Sequence, residues 1–337
     1  MNKNTIIFEA LSRKPRQSLL QILSLALLLL LLAGCGAESS QKTQSSVPAA
    51  TQAPETETIT ITDMLGRRLE LEGPAQKIIA LQASEVEILY ALGAGDQVVG
   101  IGEYCNYPAE AMEKEVLASG SGTSIEAIIE LEPDLLIMGT MDQSDAQIAQ
   151  LENAGIKILV TDPQDLAGTY TAIQLIGQAT GRFEEAEKMI GSMKTEFAAM
   201  QAKAADKQKA MQGEGARTIY FEVSPLEYGL WTSGRGTFMQ EITDILGVKN
   251  IFDDLDGWLE ISEEQVIQRD PDYIVTISMN FGEGPSPEEE IMGRKGWQDI
   301  SAIKQQQVFH GDSDQLTRPG PRLVDGAQAL YAYLYGE

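Results

Sequence analysis

Histidine is nearly missing from this 337-residue chain: His310, in the strand-like run Val308-Phe-His-Gly311, is the only one. A metal site built from several imidazoles is thereby excluded, as is a zinc hydrolase of the His-Glu-x-x-His kind. The chain also lacks a Gly-x-Ser-x-Gly nucleophile elbow. Gly120-Ser-Gly-Thr-Ser124 precedes a helical stretch and has the makings of an anion cradle, but it lacks the P-loop lysine and the third Rossmann glycine. Cations are scarce too. Lys and Arg number 25 against 50 Asp and Glu, a formal charge of −25, and so acidic a surface repels nucleic acid and anionic lipid headgroups. Carboxylate pairs are too common here to mark a catalytic acid and base. The absences together argue against an enzyme and against a nucleic-acid binder.

What is present begins at the N-terminus. Lys3, Arg13, Lys14 and Arg16 form a cationic region, and Leu19–Leu32 is an almost unbroken apolar run ending in Leu32-Ala-Gly-Cys35. The run is shorter than the roughly 18–20 residues that span a bilayer and has the layout of a secretory signal; a short anchor helix is the alternative. Leu-Ala-Gly-Cys resembles the bacterial lipobox, which implies lipid attachment at Cys35 after removal of residues 1–34. The remaining chain would carry 21 Lys and Arg against 49 Asp and Glu, a formal charge near −28. A lipid, not a basic patch, would then hold it to the membrane, and two or more acyl chains do so stably. With Cys35 lipidated, Cys105 stands alone and no internal disulfide can form.

Residues 35–57 are rich in Ser, Thr, Gln and Pro and read as a flexible linker. From Ile59 onward short apolar strands alternate with helices: Ile78–Leu81, Val98–Ile101, Leu135–Met138 and Ile156–Val160 are strands, while Glu85–Leu92, Ile125–Leu131 and Ile148–Asn153 are helices. This order predicts a parallel sheet covered on both faces. Residues 182–212 break the rhythm. Phe183, Ala186, Ile190, Met193, Phe197 and Met200 recur at helical steps, and a helix over the whole stretch would be about 45 Å long. Such a helix is either a surface element of one domain or a strut between two.

An internal repeat favours the strut. Ser124–Ile137 matches Ser262–Val275 without gaps at an offset of 138 residues, one copy on each side of the long helix. Each copy has a serine able to cap a helix, a glutamate in the first turn, an acid-Pro-Asp break and an apolar strand. The organisation expected is a lobe over 58–181, a bridging helix over 182–212 and a second lobe over 216–337.

These features, with the segments Lys77–Ile101, Trp231–Arg235 and Arg318-Pro-Gly-Pro-Arg322, resemble the ABC-importer substrate-binding proteins for iron siderophores, vitamin B12 and haem. The likeness covers roughly residues 59–335. It implies two Rossmann-like α/β lobes bridged by one long rigid α-helix, with the ligand cleft between the lobes. It also implies an extracytoplasmic, lipid-anchored monomer that delivers a metal-chelate ligand to a permease dimer with its ATPase. In that family one acid on each lobe docks to the permease, and the matching positions are Glu126 and Glu264.

The cleft candidates are Tyr104, Trp231, Arg235, Trp258, Asp314 and Arg318, placed in loops beyond strand ends. Tyr104, Trp258, Asp314 and Arg318 match cleft positions of the B12-binding members. Trp231 and Arg235 are expected to follow the strand Ile219–Val223 by way of a loop. The chain departs from the B12 binders at Ala118–Ser124, where those proteins carry a cleft tryptophan. On sequence alone an iron(III)-siderophore is the favoured ligand, with Arg235 and Arg318 facing its oxygens; cobalamin and haem remain open. No metal bound directly by the protein and no resident cofactor is expected. A ligand-sensing lipoprotein uncoupled from transport is the alternative of another class.

Overall fold

The computed structural model describes residues 58–140, 145–210, 216–278 and 284–336. The signal segment, the linker and Cys35 lie outside these residues.

Ile59–Thr62 (β1) and Arg68–Leu71 (β2) alternate in burial and pair as an antiparallel hairpin. Ile78–Ala80, Leu135–Met138 and Ile158–Val160 after them are apolar and buried throughout, as strands covered on both faces must be. β3 (Ile78–Ala80), β4 (Val98–Gly102), β5 (Glu115–Leu117), β6 (Leu135–Met138) and β7 (Ile158–Val160) form one parallel sheet in the order β5-β4-β3-β6-β7. Helices α1 (Ala83–Ala91), α2 (Ile125–Glu130), α3 (Asp145–Asn153) and α4 (Leu166–Thr180) alternate with them.

After α5 (Phe183–Ala210) the pattern returns on a smaller scale. β8 (Thr218–Glu222), β10 (Lys249–Asn250), β12 (Tyr273–Thr276) and β13 (Val308–His310) make a parallel sheet in the order β10-β8-β12-β13. β9 (Leu230–Ser233) and β11 (Trp258–Ile261) form a separate antiparallel pair. Trp231, reached from β8 through a loop as expected, and Trp258 thus lie in strands and not in the loops proposed for the cleft candidates. The lobe is completed by α6 (Phe238–Leu246), α7 (Glu263–Arg269), α8 (Pro287–Gly293), α9 (Ser301–Lys304), α10 (Ser313–Thr317) and α11 (Leu323–Tyr335). In both sheets the first strand, β3 or β8, lies inside, and the chain order reverses beside it. Open α/β sheets bind ligands beyond the strand ends at such a reversal.

Helix α5 has 28 residues, about 42 Å of helix. Asp165 caps the preceding helix by accepting from the Gly168 N–H (2.6 Å). That helix ends at Gly181 in the left-handed region (φ 70°), where glycine has no Cβ to clash. Gly177 lets the two helices approach: a Cβ there would lie 2.6 Å from that of Ala186. The buried stripe Ala186, Ile190, Met193, Phe197, Met200 and Ala204 shares one continuous core with Ile173 and Ile176 of α4 and with Ile242, Leu246 and Leu330 of α6 and α11. One helix thus belongs to the cores of both halves. Glu184 and Glu185 in its first turn and Lys207 and Lys209 in its last suit the helix dipole.

The repeat folds alike in both copies. Ser124 accepts from the Ala127 N–H and Ser262 from the Gln265 N–H, so each caps its helix. Each helix is followed by a left-handed residue, Glu132 (φ 48°) or Asp270 (φ 42°), just before the proline. The aspartates beyond it anchor strands. Asp134 accepts from the N–H groups of Gln76 (2.8 Å) and Lys77 (3.0 Å), ahead of β3. Asp272 accepts from the Thr218 N–H (2.8 Å) and hydroxyl (2.9 Å), where β8 begins.

Because α5 serves both cores, Phe197→Ala is expected to cost about 3–5 kcal/mol and to leave one cooperative transition. Urea unfolding followed by tryptophan fluorescence and by far-ultraviolet circular dichroism should coincide; two separated transitions would contradict a shared core.

Candidate ligand cleft and docking faces

Helix α1 reads Ala-Ser-Glu-Val-Glu-Ile-Leu-Tyr-Ala and buries both of its glutamates. A buried carboxylate must find donors or neutralise. Glu85 accepts from the Thr161 hydroxyl (2.8 Å) and the Gln82 N–H (3.2 Å). Glu87, its side chain only 1% exposed, finds its donors in the other lobe. Arg318 Nη1 donates to Glu87 Oε1 (2.9 Å), and Arg322 donates from Nε to Oε2 (2.9 Å) and from Nη2 to Oε1 (2.7 Å). Arg318 also donates to Asn106 Oδ1 (2.6 Å) and to the Tyr104 carbonyl (3.2 Å), and pairs with Asp314 (2.8 Å). Asn106 Nδ2 closes the network by donating to Asp314 Oδ2 (2.8 Å). Arg322 lies over the Tyr107 ring, 4.2 Å from its centroid. Its guanidinium is held above its ordinary pKa, chiefly by the hydrogen bonds to Glu87.

The structure therefore brings Tyr104, Asp314 and Arg318 together at the junction of the lobes. Tyr104, whose carbonyl joins the network, is 70% exposed. Trp231 and Trp258 form a second group. Trp231 pairs with Glu260 and Trp258 with Ser233 in the β9–β11 register, which puts both rings on one face as diagonal neighbours. Trp231 is 38% exposed, while Trp258 leans on Phe238 with centroids 5.4 Å apart. Arg235 continues this ribbon, and its Nε is paired with Asp256 (3.0 Å) at the surface. Glu126 and Glu264 stand apart from both groups, exposed on α2 and α7, one per lobe.

Sequence reasoning missed Glu87, Asn106, Tyr107 and Arg322. The signal was available for Glu87, a charge inside an otherwise apolar helical run. A cavity of about 770 Å³ opens beside this network, lined by Glu87, Tyr90, Tyr107 and Arg322 among others; none of the six cleft candidates lines it. Beneath the second lobe's strand ends, Glu222 is buried against Arg294 (2.7 and 2.9 Å), and burial raises its pKa. Cys105, between Tyr104 and Asn106, is buried, and that burial pushes its thiol up to about 12. Among the described residues no group of His, Cys, Asp and Glu is placed to hold a metal, and no helix is long and apolar enough to cross a membrane.

Two parallel-sheet lobes sharing one long helix are the build of a solute receptor. The chain belongs to the periplasmic binding protein family, whose model matches residues 78–315. It is 34% identical over 315 residues to the uncharacterized ABC transporter substrate-binding lipoprotein YvrC of Bacillus subtilis, covering 93% of this chain and 95% of that one. Among solved structures, it is similar to the periplasmic vitamin B12 binding protein BtuF of Vibrio cholerae, with TM-score 0.63 and 27% identity over 77% of this chain and 97% of that chain. It is equally similar to a possible iron-binding (periplasmic solute-binding) protein of Staphylococcus epidermidis, with TM-score 0.63 and 28% identity over 77% and 99%. The protein is an ABC-transporter substrate-binding protein of the B12, haem and siderophore family, and not an enzyme.

Glu87→Gln should destabilise the protein by about 2–4 kcal/mol, because it removes the buried charge that two largely buried guanidinium groups share and leaves Asp314 as their one carboxylate in the network. A loss below about 1 kcal/mol in urea unfolding would class the network with solvent-screened pairs. Cys105 should resist thiol chemistry. In a Cys35→Ser variant at pH 8, an aromatic disulfide reagent should attack it at least about 100-fold more slowly before unfolding than after; equal rates would contradict its burial.

Proposed function

We propose that this protein is the lipid-anchored, extracytoplasmic receptor of an ABC importer and that its ligand is a corrinoid of the cobalamin type. Cys35 carries the lipid, residues 35–57 form the tether, and Glu126 and Glu264 meet the permease dimer.

The pairing of Arg318 with Asp314 beside the exposed Tyr104 carries the ligand reading. A corrin is rimmed by primary amides, and each amide needs a donor and an acceptor together. Asp314 keeps acceptor lone pairs, and Arg318, whose Nη groups are engaged by Glu87, Asn106, Tyr104 and Asp314, keeps its Nε–H as the donor one helical turn away. An anionic ferric chelate calls instead for uncompensated cations. Arg235 and Arg318, the two arginines that favoured a siderophore on sequence alone, are each occupied by carboxylates. The exposed faces of Tyr104 and Trp231 supply aromatic area for the apolar side of a large flat ligand. BtuF, described as a vitamin B12 binding protein, supports the same choice, although Ala118–Ser124 still lacks the tryptophan expected of that group. Haem needs an axial ligand for its iron, and the candidate cleft residues offer only Tyr104.

Tryptophan quenching tests the assignment. Cyanocobalamin, a ferric hydroxamate and haem are titrated in turn, with Trp231→Phe to assign the signal, since Trp297 is wholly buried. Cyanocobalamin should bind with a Kd of about 1 μM or tighter, a free energy near −8 kcal/mol, and Arg318→Ala should weaken it about tenfold or more. Binding of the ferric hydroxamate or haem without cyanocobalamin would overturn the corrinoid reading.

A further inference from the structure

The two copies of the repeat share a surface as well as a fold. From Ser124 to Glu132 and from Ser262 to Asp270, each residue is exposed, half-buried or buried just as its counterpart 138 positions away. Between Ser124–Ile137 and Ser262–Val275 five residues are identical: the serine, a glutamate, an isoleucine, the proline and the aspartate. Three have work inside the molecule. The serine caps the helix, the proline follows the left-handed residue that ends it, and the aspartate anchors the first strand of its sheet. The other two, Glu126 with Ile129 and Glu264 with Ile267, are exposed in both copies.

A single exposed isoleucine needs no explanation. The same isoleucine in the same register of both helices does. Ile129 is 43% exposed and Ile267 39%, whereas their neighbours Ile128 and Val266 are wholly buried. The core contact of each helix is thus already made by the preceding residue. Glu126 and Ile129, like Glu264 and Ile267, are three residues apart and therefore adjacent on the helix surface. Each lobe presents one carboxylate beside one apolar knob.

We propose that Ile129 and Ile267 are the apolar half of the docking surface. On this reading, which rests on the permease docking proposed above, each isoleucine seats in a hydrophobic hollow next to the cation that receives Glu126 or Glu264. The partner must offer that cation-and-hollow pair twice, as a two-fold permease dimer does. The two halves divide the work. Exposed carboxylates steer the encounter and act on the association rate, with a strong dependence on salt. Buried apolar contacts slow dissociation and are indifferent to salt.

The experiment measures binding of the ligand-free receptor to its permease–ATPase complex in lipid nanodiscs, by association and dissociation rates at low and high salt. Ile129→Ser and Ile267→Ser should each weaken binding about tenfold, to a similar extent, by faster dissociation at either salt concentration. The corresponding leucine variants should regain most of the loss, which separates lost contact from a disturbed helix, and the melting temperature serves as a second check. Glu126→Lys and Glu264→Lys test the underlying reading. If they abolish binding while the double serine variant binds like the parent, the apolar contact is refuted and docking stands. If the lysine variants bind normally, docking itself is refuted. A loss confined to one of the two isoleucines would overturn the two-fold arrangement.

Discussion

Glu87 is a carboxylate that one lobe buries and the other lobe satisfies. Its helix provides no donor for it; Arg318 and Arg322 do, from positions more than 230 residues further along the chain. An unpaired carboxylate at such a site would cost several kcal/mol, so the lobes cannot separate or slide without finding replacement donors. Helix α5 fixes how far apart the lobes are, because its apolar stripe is built into both cores. It leaves rotation about its own axis less constrained; Arg322 caps α11, which is itself seated on α5, so the Glu87 network ties α1 to that element and opposes the rotation of one lobe against the other. The width of the cleft and the relative position of α2 and α7 both follow from this pair of constraints.

An ion-pair network is an expensive way to join two lobes. Replacing it by well-packed apolar side chains would be neutral or favourable for stability. What charge and hydrogen bonds supply is geometry, since the bidentate contact of Arg322 with Glu87 and the chain through Asn106 to Asp314 tolerate little displacement. Apolar surfaces would permit small slips. On the docking reading proposed above, a receptor that meets a symmetric partner through two sites would gain from that stiffness, because it would not lose the entropy of ordering its lobes on association. The same network touches the candidate cleft at Tyr104, Asp314 and Arg318. Ligand contact there would be made by groups already held in place.

Much of the frame is legible in the sequence because its signals are local. Apolar runs mark the parallel strands, Ser124 and Ser262 mark helix starts, and the step of Phe183, Ala186, Ile190, Met193, Phe197 and Met200 marks the long helix from its first residue through its middle. The expected stop at 212 falls beyond the described end at Ala210. The β9–β11 ribbon was not legible. Its strands have four residues each, pair only with one another, and are bounded by Gly229, Gly234 and Gly257, which read as loop. The candidate site was legible in part. Tyr104, Asp314 and Arg318 come together, as do Trp231 and Trp258, but the partners of the arginines did not show. Local patterns carry no record of a partner on another lobe. Charge type at a position is visible in sequence; whether a neighbour cancels it is not.

That distinction bears on the choice of ligand. A chain with twice as many acids as bases is a poor host for an anionic chelate unless its cleft concentrates free cations. Here Arg318 answers to Glu87 and Asp314 and Arg235 to Asp256, so the candidate positions offer polarity without net positive charge. Such a surface suits a large ligand whose rim is amide and whose faces are apolar. Receptors with this frame carry different ligands, so ligand choice resides in the loops at the strand ends, while the frame serves them all. In this chain the two are joined at Arg318, which anchors one lobe to the other through Glu87 and, on the corrinoid reading, turns its remaining hydrogen-bonding capacity toward the ligand. Selection for a new ligand would therefore find Trp231 and Tyr104 free to vary and Arg318 fixed by the frame.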